Sequence, residues 1–61
     1  MFIKLTTTYD RAIWVNVSRI SAVEGIEQGS MLMGDAAINN LIVKETPAKI
    51  IDLIREEEAS W

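Results

Sequence analysis

The chain has 61 residues, and nine acidic against six basic side chains give a net charge of −3. Cysteine and histidine are both absent, so disulfides are excluded and zinc has no good ligands. A single domain spanning 1–61 buries only ~60% of the surface that its unfolded chain exposes, and a scaffold of that size without staples leans on a second subunit.

Phe2 to Thr7 is rich in β-branched and aromatic residues and reads as a first strand. Thr8, Tyr9, Asp10 and Arg11 form the connection, with Asp10 supplying the turn chemistry. Ala12 to Asn16 is the second strand, expected to pair with the first as a hairpin. Asn16 is placed to cap one helical turn or to shape a bend. Ile20 to Glu24 is a third strand, Gly25 to Gly29 a turn, and Ser30 to Met33 a fourth strand. Gly34 to Asn40 reads as a loose stretch, and Leu41 to Lys44 as a fifth strand. Thr46-Pro47 then announces a helix, because threonine favours the N-cap and proline the first helical position. From Ala48 to Ala59 nothing interrupts it, and Ile50, Ile51, Leu53 and Ile54 form an apolar stripe. The fold class is therefore α+β: a small antiparallel sheet of four to five short strands with one C-terminal amphipathic helix on one face.

Strand side chains alternate between faces. That assigns Ile3, Leu5, Ile13, Val15, Leu32, Leu41 and Val43 to the helix side. Phe2, Trp14, Met31, Met33 and Ile42 fall on the other side, which one helix cannot also cover. Two arrangements answer this. Either the second face meets another chain, as contiguous apolar patches usually do, or the sheet curls and takes both groups into a barrel-like core. The first makes Phe2, Trp14, Met31, Met33 and Ile42 the candidate interface.

Catalytic machinery is not expected. The serines and threonines have no histidine to activate them, and Asp10, Glu24 and Glu45 are the only carboxylates worth weighing as acid–base groups. Nucleotide-cradling glycine motifs are missing, and Asp35 with Asn39-Asn40 lacks the acidic density of a calcium loop. No cofactor and no metal is expected. The basic residues stand singly rather than in a patch, which disfavours direct nucleic-acid binding. No apolar run approaches the ~18 residues of a membrane span, and the first residues lack the signal-peptide pattern. A cytoplasmic location is the expectation. Glu56, Glu57 and Glu58 close the helix against its dipole, as a solvated end or as an acidic contact shared with Asp52. Trp61 is either free or folded onto an apolar surface.

Ile3-Lys4-Leu5-Thr6, a hairpin ending at Asn16, then Ile20, Val23 and Glu24, then Val43-Lys44-Glu45-Thr46 before an amphipathic helix, form an ordered set of features. In that order the chain resembles the small flagellar and swarming-motility protein family (the FlbD and SwrD type) and its short prophage-encoded relatives. The resemblance spans nearly the whole chain and implies a small β-rich accessory module with a C-terminal helix and no catalysis. Thr8-Tyr9-Asp10-Arg11 stands where the family usually has an Asn-Gly pair, and Gly34 to Asn40 replaces a tight turn. Those departures point toward the phage-type relatives.

Three functions follow as expectations. The first is a homo-oligomeric protein-interaction module acting through Phe2, Trp14, Met31, Met33 and Ile42. The second is a phage-encoded inhibitor of a host nucleic-acid-binding or defence protein, using Asp52, Glu56 and Glu57 to meet a basic surface. The third is an oligomer that sequesters a nucleotide between Trp14, Tyr9, Arg11 and Arg19.

Overall fold

The computed structural model describes residues 1–36 and 38–59. In chain order they form β1 (Phe2–Thr6), β2 (Ala12–Asn16), a 3-10 turn (Val17–Arg19), β3 (Ile20–Ile26), β4 (Gly29–Gly34), β5 (Leu41–Val43) and α1 (Pro47–Ala59). The fold is α+β, as the alternation of short strands and one amphipathic run predicts. Trp61 lies outside the described residues.

The strands divide into two antiparallel sheets, β1-β2 and β3-β4-β5, rather than forming one of four to five strands. The two sheets touch at a corner. Thr7 bridges Val43, and the Lys44 N–H donates to the Thr6 carbonyl at 2.8 Å. The chain thus curls, and the space between the sheets becomes the core. Ile3, Leu5, Val15, Leu32, Val43 and Ile50 are buried there, together with Ile38. Ile13 and Leu41, expected on this side, are only half-buried. Ile38 belongs to the stretch read as loose. It joins the core cluster, with its N–H donating to the Asp35 carbonyl at 3.0 Å.

Local chemistry explains each junction. At the first hairpin the Thr7 N–H donates to the Arg11 carbonyl at 2.8 Å, and Asp10 takes a left-handed φ of 63°, which aspartate tolerates better than most residues. Asn16 Oδ1 accepts from the Ser18 N–H at 3.2 Å and from Ser18 Oγ at 2.9 Å, capping the 3-10 turn. Thr46 Oγ1 accepts from the Lys49 N–H at 3.2 Å and opens α1. The turn between β3 and β4 is tighter than expected, because Gly25 pairs with Ser30 and Ile26 with Gly29.

The helix packs against β1 and β3. Its buried stripe is Ile50, then half-buried Leu53, Ile54 and Glu57, the i, i+3, i+4, i+7 set of one helical face. Ile51 was expected in the stripe but is 48% exposed, since one residue past Ile50 is turned ~100° away.

Two glycines are fixed by close approach. A Cβ on Gly29 would sit 2.4 Å from the Val43 carbonyl oxygen, and its φ is 145°. A Cβ on Gly34 would lie 2.0 Å from the Arg19 carbonyl oxygen. Gly25 differs: a Cβ there meets only the Pro47 ring at 3.4 Å. Gly29→Ala is therefore expected to destabilise the fold by ~2–4 kcal/mol. Gly25→Ala should stay within ~1 kcal/mol of the parent. Urea unfolding of the two variants checks this; equal midpoints would contradict it.

Candidate interaction surface

The pleat sends the largest apolar side chains outward on β1 and β2. Phe2 lies across from Asn16, and Lys4 across from Trp14. Phe2 and Trp14 are thus diagonal neighbours on one outer face, within reach of each other for aromatic side chains. Phe2 is 55% and Trp14 65% exposed. In so small a chain that is a large apolar area left in water.

Met31, Met33 and Ile42 lie on the other sheet. Met31 stands between Glu24 on β3 and Ile42 on β5, while Met33 faces Ala22. Both methionines are half-buried, and Ile42 is 38% exposed. The difference from Trp14 has a geometric cause. β4 is a central strand, and Met31 on it has a paired residue on both flanks, while Met33 is paired with Ala22 on one. β2 is an edge strand, so among the described residues Trp14 is paired with Lys4 on one flank and with no strand on the other. The five expected interface residues therefore form two groups on two sheets rather than one continuous face, and the Phe2–Trp14 group is the more open.

Beside β2 runs a cleft of about 560 Å³, with Phe2, Ile13, Trp14 and Val15 on one wall and Ile38 and Leu41 on the other. A second, of about 440 Å³, involves Tyr9, Arg11 and Ile42. The residues considered for a nucleotide are split between them: Trp14 and Arg19 at the first, Tyr9 and Arg11 at the second. Arg19 is also paired with the Asp35 carboxylate.

On α1, Asp52 and Glu56 are exposed and one turn apart, with Lys49 and Arg55 exposed on the same helix. Glu57 does not join them as a free carboxylate: it is half-buried and already engaged.

Two of the carboxylates weighed for acid–base work, Glu45 and Asp10, have structural occupations. Glu45 accepts from the Thr6 N–H through Oε1 and from Thr6 Oγ1 through Oε2, both at 2.9 Å. Its own carbonyl accepts from the buried Ser30 Oγ at 2.7 Å. Asp10 pairs with Lys44 across the sheet corner. Glu24 lies exposed on β3 beside Met31. Among the described residues no group of three acidic, histidine or cysteine side chains is placed to hold a metal ion, and no helix is long and apolar enough to cross a membrane.

No family model, curated protein or solved structure matches the chain.

Two features of the surface escape a reading of the residues alone. One is the place of Ile38 and Leu41 in the lining of the first cleft, since a segment without periodicity carries no sign of it. The other is Glu45, whose bonds to Thr6 span 39 residues. Hydrogen bonds to a charged group contribute ~1.5–3 kcal/mol each. Glu45→Ala should accordingly cost ~2 kcal/mol or more, and Thr6→Val combined with it should add much less than its separate effect. A double-mutant cycle in urea measures this; full additivity would mean the clamp is not formed.

Proposed function

We propose that the chain is a non-catalytic protein-interaction module that works as a homo-oligomer, an accessory protein of phage or motility type. The observation that carries the proposal is the exposure of Phe2 and Trp14 side by side on the sheet that lacks an outer neighbour. Fully burying one such side chain is worth ~1.5–3 kcal/mol. Leaving two in water forgoes a large part of a small domain's stability, which is only ~0.05–0.15 kcal/mol per residue. Tryptophan and methionine are also enriched in protein interfaces. The resemblance to the small flagellar and swarming-motility family supports an accessory role, and the absence of cysteine fits a reducing cytoplasm.

Capture of a basic host protein is the second reading. It has the exposed Asp52 and Glu56 in its favour, while Lys49 and Arg55 on the same helix dilute the acidic character.

Sedimentation velocity of wild type and Trp14→Asp tests the first reading. Wild type should sediment as a defined assembly. The substitution should weaken self-association roughly 30-fold or more, since central interface tryptophans cost ~2 kcal/mol or more when removed. A wild-type chain that stays monomeric at every concentration removes the proposal.

A further inference from the structure

The two backbone bonds at the ends of the first hairpin determine which way β2 faces. The Thr7 N–H donates to the Arg11 carbonyl at 2.8 Å, and the Val17 N–H to the Met1 carbonyl at 2.9 Å. Hydrogen-bonded and non-hydrogen-bonded pairs alternate along an antiparallel ladder. With the observed register, Ile3–Val15 and Leu5–Ile13 are the bonded pairs, and Lys4–Trp14 is not. The N–H and C=O of Ala12 and Trp14 therefore point away from β1. No partner for them is present among the described residues.

β2 is thus an open edge, and an unguarded one. Proteins protect such edges with charges, prolines or bulges. From Ala12 to Asn16 there is none of these. Other edge strands differ: β1 carries Lys4 and is met at Thr6 by the Lys44 backbone and the Glu45 carboxylate, and β3 carries a register shift between Ile20 and Ala22, the charge of Glu24, and Gly25. Ala12 and Trp14, the residues whose amides point outward, are both exposed.

We infer that this edge pairs with the β2 edge of a second copy, antiparallel, about a twofold axis at Trp14. The inference rests on the homo-oligomer reading and says how the copies join. The edge is complementary to itself. Trp14 meets the second copy's Trp14 through two mutual N–H···O=C bonds, and Ala12 lies across from the second copy's Asn16. No charged side chains are brought face to face over Ala12–Asn16, so nothing repels the pairing. On the outer face the empty flank of Trp14 is filled by its symmetry mate. On the inner face half-buried Ile13 comes beside the second copy's Val15, which extends the core across the axis. The product is a four-stranded sheet, β1-β2-β2-β1, and such isologous twofold contacts are the commonest in homo-oligomers.

The test pairs two measurements on the intact, nitrogen-15-labelled chain: sedimentation for assembly, and amide hydrogen exchange of Trp14 by NMR. An oligomer whose Trp14 amide is protected ~100-fold or more, as a stable ladder bond requires, supports the inference. An oligomer whose Trp14 amide exchanges as freely as an exposed loop overturns edge pairing, yet leaves self-association through another surface standing. A monomer overturns both. Ala12→Pro provides the second variant. It removes an outward amide without touching the bonds to β1, so it should weaken assembly at least ~10-fold. An unchanged assembly counts against the edge.

Discussion

One amphipathic helix can shield only one side of a β-layer, and the architecture follows from how the chain handles that shortage. Strand alternation sorts the apolar side chains into two sets. Ile3, Leu5, Val15, Leu32 and Val43 take the inner positions and are closed by Ile50 from α1. Among the described residues no helix lies over the outer set, and Phe2 and Trp14 are its most exposed members. Curling into two sheets that meet at the Thr7–Val43 corner brings the inner set together. The same curl leaves β2 at an outer margin, with Trp14 carried on it.

The curl is held by a few short-range constraints. Glu45 clasps Thr6, the Ser30 hydroxyl reaches the Glu45 carbonyl, and the backbone of β5 passes so close to Gly29 that no side chain fits. These contacts gather the end of β1, the start of β4 and the lead into α1 at one point. They give Glu45, one of the carboxylates weighed for acid–base work, a place in the architecture. A carboxylate with both oxygens occupied by one threonine is a poor candidate for proton transfer to a substrate.

Much of the fold was legible in the residues, and the reasons are local. Thr46-Pro47 marks the start of α1 because capping is a property of adjacent residues. Ala12 to Asn16 and the Asn16 cap are likewise dictated by near neighbours. What escaped depends on distant parts of the chain. The division into two sheets is decided by where the chain after β1 meets β5, at Thr7 and Val43. The burial of Ile38 is decided by residues far from it in the chain, the core cluster it joins. The rotation of the helix, which buries part of Glu57 and leaves Ile51 in water, depends on the angle at which α1 meets β1 and β3. Of the expected interface, Phe2, Trp14 and Ile42 are open. Met31 and Met33 are half covered, and for Met31 the cause is its place on a central strand between Glu24 and Ile42, which an isolated run of residues does not reveal.

The central claim is that Trp14 is covered by another protein molecule. Replacing Trp61 by phenylalanine leaves Trp14 as the chain's single tryptophan. Its fluorescence can then be followed across a dilution series with an added quencher. The account predicts a blue-shifted emission, poorly quenched, at high protein concentration, moving toward that of a water-exposed indole as the assembly dissociates. An indole fully open to quencher at every concentration would contradict it.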